Sequence, residues 1–353
     1  MEIVLTRDLV EGDILAKELI DTYGNVLLKN GTVLTKAYIL KLKAAGVFYV
    51  VVERFNKTKE LYDDRLNIIK ESMVNAIPEF FDSILNKDKN KIEKEITIVD
   101  DMVEHIIKTG EINTSIFDLQ EYDNYTYIHC VNTSIMSTFI GIQLNVKSKE
   151  LKSLALGAIL HDIGKMKLPI EILNKRERLS DAEFILIKNH SKNGNKILKD
   201  ADISDEIILD IVLQHHERLD GTGYPYNIMS KEISEYAKIV SLCDVFTALS
   251  ANRCYRDRFS PNDAYEFIIS EVDKMFDARI VEVFKKSFAI YPKGCKVKIS
   301  NGMEGIVVEQ NTGFPDRPIV QVYYDNNLDA KIKVREINLL NKIDLVITDT
   351  LPR

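Results

Sequence analysis

Tryptophan is absent from the 353-residue chain, and cysteine and histidine are scarce, with four and six copies. No two cysteines stand in C-x-x-C spacing, which excludes a zinc ribbon and a thioredoxin-like motif. We therefore expect free thiols in a reducing compartment. The four cysteines are Cys130, Cys243, Cys254 and Cys295.

Long apolar runs and an excess of positive charge are also lacking. Apolar stretches such as residues 151–160 reach about half of the ~20 residues that span a bilayer, and the amino terminus has no signal-peptide core. The net charge of −7 argues against a binder of duplex nucleic acid, which needs a basic face. We expect a cytoplasmic protein that contacts neither membrane nor duplex nucleic acid. A few local cations would still suffice for a small anionic ligand.

The length suits two or three domains, and changes in residue pattern predict four regions. Turn signals around a short apolar run, then a helical pattern and a β-rich run, indicate an α/β module. Alternating residues around the Asn301-Gly302 turn indicate strands near the other end. The predicted regions are a small α/β module at 1–55, an amphipathic helical linker at 56–115, a helical domain at 116–290 and a small β-barrel-like domain at 291–353.

The linker has apolar residues at helical spacing, and Pro78 interrupts its pattern. Two interpretations of its apolar face stay open. It forms a homodimer contact, or it packs against the next domain.

The helical domain holds five of the six histidines, and we interpret the sixth, His105, as structural. Neutral imidazoles and carboxylates suit Zn, Fe and Mn, and a carboxylate can bridge two metals. The pair His161-Asp162 ends an apolar helix that Gly164 would break. Within a helix, His215 and His216 would point ~100° apart. They share a metal only if the helix ends there, and the glycines at 221 and 223 supply that ending.

Two motifs carry a resemblance to a known family. H-D-I-G-K at residues 161–165 and H-H-E-x-x-D-G-x-G-Y-P at residues 215–225 resemble the HD-GYP domain, a branch of the HD phosphohydrolases. The resemblance implies an all-α catalytic domain at 116–290, and a mainly α chain once the flanking regions are added. It also implies a metal-dependent enzyme of signal transduction that hydrolyses cyclic di-GMP to linear pGpG, to GMP, or to both.

The family's site residues carry over position by position. One metal would be held by His129, His161, Asp162 and Asp244. The second would share Asp162 and take His190, His215 and His216. Catalysis would rest on Asp162 and on Lys165, which would contact a phosphate. Further substrate contacts would come from Gly223, Tyr224, Pro225, Arg253 and Arg256.

Two positions depart from the family pattern. Members with a third metal place a glutamate four residues before the first histidine, where this chain has Tyr125. We therefore expect two divalent ions, with iron and manganese as the candidates. The proline that often follows the third motif histidine is Ser191 here, which we interpret as a minor loop change.

In the mechanism that we expect, a hydroxide between the two metals attacks phosphorus in line with the departing 3′ oxygen. The proton donor for the leaving group stays open between a metal-bound water and Lys165. Two alternatives compete with this function. One is an HD-type hydrolase of another cyclic dinucleotide or of a nucleotide, and the other is a non-catalytic cyclic di-GMP receptor.

Overall fold

The computed structural model describes most of the chain, with gaps. The described residues are 2–20, 26–45, 47, 49–53, 64–109, 125–173, 175, 177–250, 261–291, 293–325 and 330–351. Two predicted substrate contacts, Arg253 and Arg256, lie outside them. No helix in the described segments combines the length and apolar character that crossing a membrane requires.

The chain divides into two compact units. One combines Met1–Glu60 with Tyr291–Arg353, and the other comprises Leu61–Ile290. The two ends of the chain therefore belong to the same unit. The finer division into four regions stays a prediction.

Strands dominate the amino-terminal part of the first unit. Its elements are β1 (Glu2–Leu5), β2 (Ile14–Leu15), β3 (Leu19–Ile20), β4 (Val26–Leu28), α1 (Lys36–Ala44) and β5 (Tyr49–Glu53). The antiparallel sheet has the order β1-β5-β2, and β3 pairs with β4. Helix α1 begins after Thr35, whose side chain accepts the backbone N–H of Tyr38. Ile39 and Leu42 on this helix are buried in the core of the module.

The carboxyl-terminal part of this unit is an antiparallel sheet. Its strands are β6 (Lys296–Ile299), β7 (Met303–Asn311), β8 (Phe314–Asp325), β9 (Ala330–Asn338) and β10 (Ile347–Thr350), in the order β10-β6-β7-β8-β9. Gly302, with φ of 86°, lies in the turn between β6 and β7, as predicted. Val297 and Ile299 are buried between more exposed lysines. The predicted β-rich end is confirmed, and its barrel-like closure stays a prediction.

The second unit is helical, so the mainly α fold class is confirmed. Its helices are α2 (Asp64–Leu85), α3 (Lys89–Thr109), α4 (Tyr125–Gln143), α5 (Ser148–Leu160), α6 (Ile170–Leu173), α7 (Asp181–Lys188), α8 (His190–Asp200), α9 (Glu206–Gln214), α10 (Glu235–Ser250), α11 (Pro261–Ser270) and α12 (Ala278–Ser287). Helix α4 packs against α5 and α10, and α9 packs against α5 and α8. The capping box predicted at Ser180 and Glu183 is present at the start of α7.

Pro78 does not interrupt its helix, contrary to the prediction, because α2 continues through it to Leu85. A proline inside a helix removes one backbone hydrogen bond. Met73, Ile77 and Phe81 are buried on either side of it. Packing of this apolar face outweighs the missing bond.

Helix α5 is the centre of this unit, and its residues from Leu154 to Leu160 are all buried. This half of the helix is apolar on every side, which is typical of a segment surrounded by other helices. A Cβ atom on Gly157 would lie 2.6 Å from Cδ1 of Ile211, so this glycine lets α9 approach closely. The residues that follow α5 are therefore delivered into the interior of the unit.

Gly164 does not end α5, which corrects the sequence-based interpretation. The helix ends at Leu160 with His161 as its C-cap, and Gly164 lies inside a following 3-10 turn, Ile163–Lys167. A Cβ atom at this position would lie 1.9 Å from the carbonyl oxygen of His190. Glycine is needed here because the turn packs directly onto the backbone of α8.

Candidate metal centre

Helix ends bring most of the predicted ligands together. His161 and Asp162 directly follow α5, His190 is the first residue of α8, and His215 is the C-cap of α9 with His216 next to it. The predicted condition for these adjacent histidines is met, because α9 ends at Gln214. Ligands at helix ends are held by rigid elements while their side chains reach a common space.

Two predicted ligands come from helix interiors instead. His129 lies on α4 and Asp244 on α10, and Nε2 of His129 is 2.9 Å from Oδ1 of Asp244. Asp244 also faces Nε2 of His161 at 3.7 Å and Nδ1 of His216 at 3.9 Å. This carboxylate therefore joins residues predicted for both metals.

The ligand atoms fall into overlapping groups within which all atoms lie within 4.8 Å of one another. One group contains Asp162, His190, His215 and His216, the four residues predicted for the second metal. Another contains His129, His161 and Asp162, three of the four residues predicted for the first. A third joins His161 and His215 to Asp244. Asp162 belongs to both main groups, as a bridging carboxylate would.

Backbone carbonyls orient three of the imidazole rings. Nδ1 of His161 lies 2.7 Å from the oxygen of Ala158, and Nδ1 of His190 lies 2.7 Å from that of Ile187. Nδ1 of His215 lies 3.1 Å from two carbonyl oxygens of α9. A carbonyl only accepts, so each Nδ1 carries the proton and each neutral ring presents an Nε2 lone pair. Metal-binding histidines are held in this way.

The Nε2 atoms of His190 and His215 lie only 3.2 Å apart. Since both Nδ1 atoms are committed to carbonyls, two lone pairs face each other when the rings are neutral. Burial lowers the pKa of His190 and lowers that of His215 well below the ordinary value, so a proton between them is disfavoured. A metal cation satisfies both lone pairs.

Two buried ligand atoms lack hydrogen-bond partners among the described residues. They are Nε2 of His161 and Oδ1 of Asp162. Buried polar atoms without a partner carry a large desolvation penalty, and a bound cation would remove it. The donor set of imidazole nitrogens and carboxylate oxygens fits a divalent transition metal.

The charges in the cluster suit cation binding. Burial lowers the pKa of His216 to about 3, which keeps this ring neutral. Burial alone would raise the pKa values of Asp162 and Asp244. Lys165 and His161 outweigh it at Asp162, and His129 and His161 outweigh it at Asp244, so both pKa values are lowered. Both carboxylates are therefore ionised and available as ligands.

Lys165 supplies a positive charge at the edge of the cluster. Its Nζ lies 2.5 Å from Oδ2 of Asp162. Burial opposes the charged form, but Asp162 outweighs it and raises the pKa of Lys165. The side chain is 32% exposed. A protonated and partly accessible ammonium beside the candidate metal ligands can contact a substrate phosphate.

The loop after His216 folds back over the cluster. The backbone N–H of Tyr224 donates to the carbonyl of His216, and the two rings have centroids 4.6 Å apart. A Cβ atom on Gly223 would lie 2.4 Å from the Glu217 backbone, so only glycine fits there. Tyr224 and Pro225 are partly exposed. The predicted Gly-Tyr-Pro contacts are thus adjacent to the histidines.

Glu217 has a role that the sequence did not indicate. Its buried carboxylate accepts the backbone N–H groups of Tyr226, at 2.7 Å, and Ile228, at 3.2 Å. It therefore fixes the loop that carries Tyr224. In the sequence, Glu217 is marked only by its position directly after His215 and His216. That position does not reveal which backbone groups its carboxylate contacts.

Residues 94–280 match the family described as HD domain. The cyclic di-GMP phosphodiesterase PA4108 of Pseudomonas aeruginosa is 32% identical over 242 residues, which are 69% of this chain and 58% of that protein. The 3′3′-cGAMP-specific phosphodiesterase 1 of Vibrio cholerae is 28% identical over 54% of this chain and 43% of its own length. The chain thus spans about half the length of these relatives.

A solved structure supports the fold. Bd1817, an HDG"Y"P protein from Bdellovibrio bacteriovorus, aligns with a TM-score of 0.54 at 19% identity, covering 80% of this chain and 97% of that one. At this identity the likeness speaks for the fold alone. The family match covers residues 94–280, and the two motifs surround the histidines. The chain therefore belongs to the HD domain family, in its HD-GYP branch.

Proposed function

We propose that this chain is a phosphodiesterase that hydrolyses cyclic di-GMP to pGpG, to GMP, or to both, with two divalent ions at the histidine cluster. The observation that carries the proposal is the pair of ligand groups that share Asp162. The name of the Pseudomonas aeruginosa relative supports the substrate.

One ion would be held by His129, His161, Asp162 and Asp244, and the other by Asp162, His190, His215 and His216. When bound, such ions lower the pKa of a coordinated water and offset charge on phosphate oxygens. Iron and manganese are the proposed ions, because this mixture of ligands suits both. The number two rests on Tyr125 in place of a glutamate.

The protein's own groups would act on the substrate around these ions. The Lys165 ammonium would contact a non-bridging phosphate oxygen and offset the charge that develops in the transition state. Gly223, Tyr224 and Pro225 would form one wall of the substrate site. Arg253 and Arg256 would contact a phosphate or guanine, because a guanidinium fork suits either.

Turnover of several cyclic dinucleotides by anaerobically purified, metal-loaded protein tests this function. Cyclic di-GMP and 3′3′-cGAMP are offered at equal concentration, and products are separated by chromatography. His190→Ala is expected to lower kcat/KM about 100-fold or more, since it removes a metal ligand. The matched control is His105→Ala, the same substitution on α3, which should retain wild-type activity.

The outcomes separate the alternatives. Faster cleavage of 3′3′-cGAMP would move the substrate to the one named for the Vibrio cholerae relative. Binding of cyclic di-GMP without hydrolysis in any metal form would favour the receptor. The predicted cytoplasmic location and the homodimer contact through residues 56–115 stay predictions.

A further inference from the structure

Two lysines contact aromatic rings beside the histidine cluster. Nζ of Lys188 lies 5.4 Å from the ring centroid of Tyr224 and 4.6 Å from that of Phe184. Nζ of Lys192 lies 4.8 Å from the ring centroid of Tyr226. Since Tyr224 itself packs on His216, a single aromatic ring separates the Lys188 ammonium from a candidate metal ligand.

Neither lysine is neutralised by the part of the chain that the structure describes. No described carboxylate lies within 4.0 Å of either ammonium. Lys175, which lies between α6 and α7, differs, because its ammonium is paired with Glu183 at 2.7 Å. Phe184 and Tyr226 are 47% and 55% exposed. Unpaired cations beside exposed rings are the features that bind the phosphates and bases of nucleic acid strands.

The position of these groups suits the half of a cyclic dinucleotide that is not being cleaved. Such a substrate has two phosphodiesters and two bases. While one phosphodiester is cleaved at the candidate metal centre, the other phosphate lies beside it. We propose that Lys188, Lys192 and Tyr226 form a subsite for the second nucleotide. Lys188 contacts the uncleaved phosphate, and the Tyr226 ring, with Lys192 beside it, stacks on a base. This subsite rests on the proposed function.

Tyr226 is presented by a fixed backbone. Its N–H donates to Oε1 of Glu217 at 2.7 Å, and that carboxylate is buried. Replacing the Tyr226 side chain leaves this hydrogen bond intact, so a variant tests the ring and not the loop.

The first test compares two substrates. Lys188→Gln should raise KM for cyclic di-GMP about tenfold, the loss expected for one charge-assisted contact, with kcat within about twofold. Its activity on bis(p-nitrophenyl) phosphate, which has one phosphodiester and no nucleobase, should match wild type. Lys188→Arg should restore KM. The matched control is Lys196→Gln, at an exposed lysine of α8, which should leave both substrates unaffected.

The ring is tested separately. Tyr226→Phe keeps a stacking face and should keep KM near the wild-type value, whereas Tyr226→Leu should raise it. The subsite is overturned if Lys188→Gln leaves KM for cyclic di-GMP unchanged. It is equally overturned if activity on the small diester falls in parallel, because Lys188 would then act on the metal cluster.

Equilibrium binding separates this proposal from the proposed function. If wild-type protein hydrolyses no cyclic dinucleotide, the proposed function fails. The subsite is then judged by binding of cyclic di-GMP. Weaker binding by Lys188→Gln and Tyr226→Leu than by wild type and Lys196→Gln supports it. Equal binding by all four, or no binding by wild type, overturns it.

Discussion

Oγ1 of Thr247 lies 3.1 Å from Nδ1 of His129, while the Asp244 carboxylate faces Nε2 of the same ring at 2.9 Å. The Thr247 hydroxyl donates its own proton to the carbonyl of Cys243 at 2.8 Å. In this arrangement it accepts from Nδ1–H of His129, so Nε2 and the ionised Asp244 carboxylate both present lone pairs, which a shared metal cation would satisfy. Thr247 holds this ring in the way that carbonyls hold the other three.

Replacing Thr247 with valine should weaken metal binding by about 10- to 100-fold, the usual effect of removing a group that orients a metal ligand. The shape of the side chain is preserved, so the fold should persist. Chelator competition with Mn²⁺ measures the change. Thr138→Val is the matched control, because its buried hydroxyl bonds only within α4 to the oxygen of Ser134 among the described residues. Equal loss in both variants would contradict the orienting role.

Gly164→Ala should destabilise the protein and displace His190. The added Cβ atom would meet the His190 carbonyl oxygen at 1.9 Å and the backbone nitrogen of Gly194 at 2.6 Å. Backbone atoms in a packed turn cannot yield easily, so the free energy of unfolding should fall by at least about 2 kcal/mol. Urea denaturation and metal content measure both effects.

Gly141→Ala serves as the comparison for that substitution. Its Cβ atom would meet side-chain methyls of Leu151 and Leu154 at 2.7 and 2.8 Å, which can rotate away. A smaller loss of stability with normal metal content is expected. If Gly164→Ala kept wild-type stability and metal content, the close approach of the turn to α8 would be refuted.

The metal-free protein should lose stability as the pH falls below about 6.5, the ordinary pKa of histidine. Burial lowers the folded-state pKa of His190 and of His215, and lowers that of His216 to about 3. Between these pKa values the unfolded chain binds protons that the folded chain does not bind. The neutral rings therefore contribute their full stability above pH 6.5, and this stability is lost as the pH falls toward 3. At His161 the carboxylates outweigh burial and raise the pKa, which opposes this trend at one ring.

His216 alone should remove about 1 to 2 kcal/mol between pH 7 and pH 5, after allowance for its partial exposure. Urea midpoints of chelator-treated protein across this range measure the loss. A His216→Ala variant should show a shallower decline. A midpoint that stays constant from pH 7 to pH 5 would contradict the buried, neutral state of these rings.

Much of the helical unit and of the candidate ligand cluster was predictable, because the information is local. The pairs His161-Asp162 and His215-His216 stand in short motifs, and the helix ends beside them are marked by nearby residues. The capping box at Ser180 was readable for the same reason, since capping depends on residues three positions apart.

What the sequence did not reveal depends on contacts between distant segments. Thr247 and His129 are 118 residues apart, and nothing near either residue indicates that α10 crosses α4 at this point. Gly164 was interpreted as a helix breaker, although its requirement comes from the backbone of α8. Pro78 was interpreted as a helix breaker from its residue type alone. The buried side chains on either side of it keep α2 continuous.

Metal content and turnover, measured on the same anaerobic samples of wild type and Asp162→Ala, test whether the histidine cluster is a catalytic centre for two metals. Asp162 belongs to both main ligand groups, so its loss should empty the centre and not one half of it. We predict about two iron or manganese ions per chain and linear product for wild type. The variant should show neither full metal content nor hydrolysis. An Asp162→Ala protein that keeps both would contradict the account.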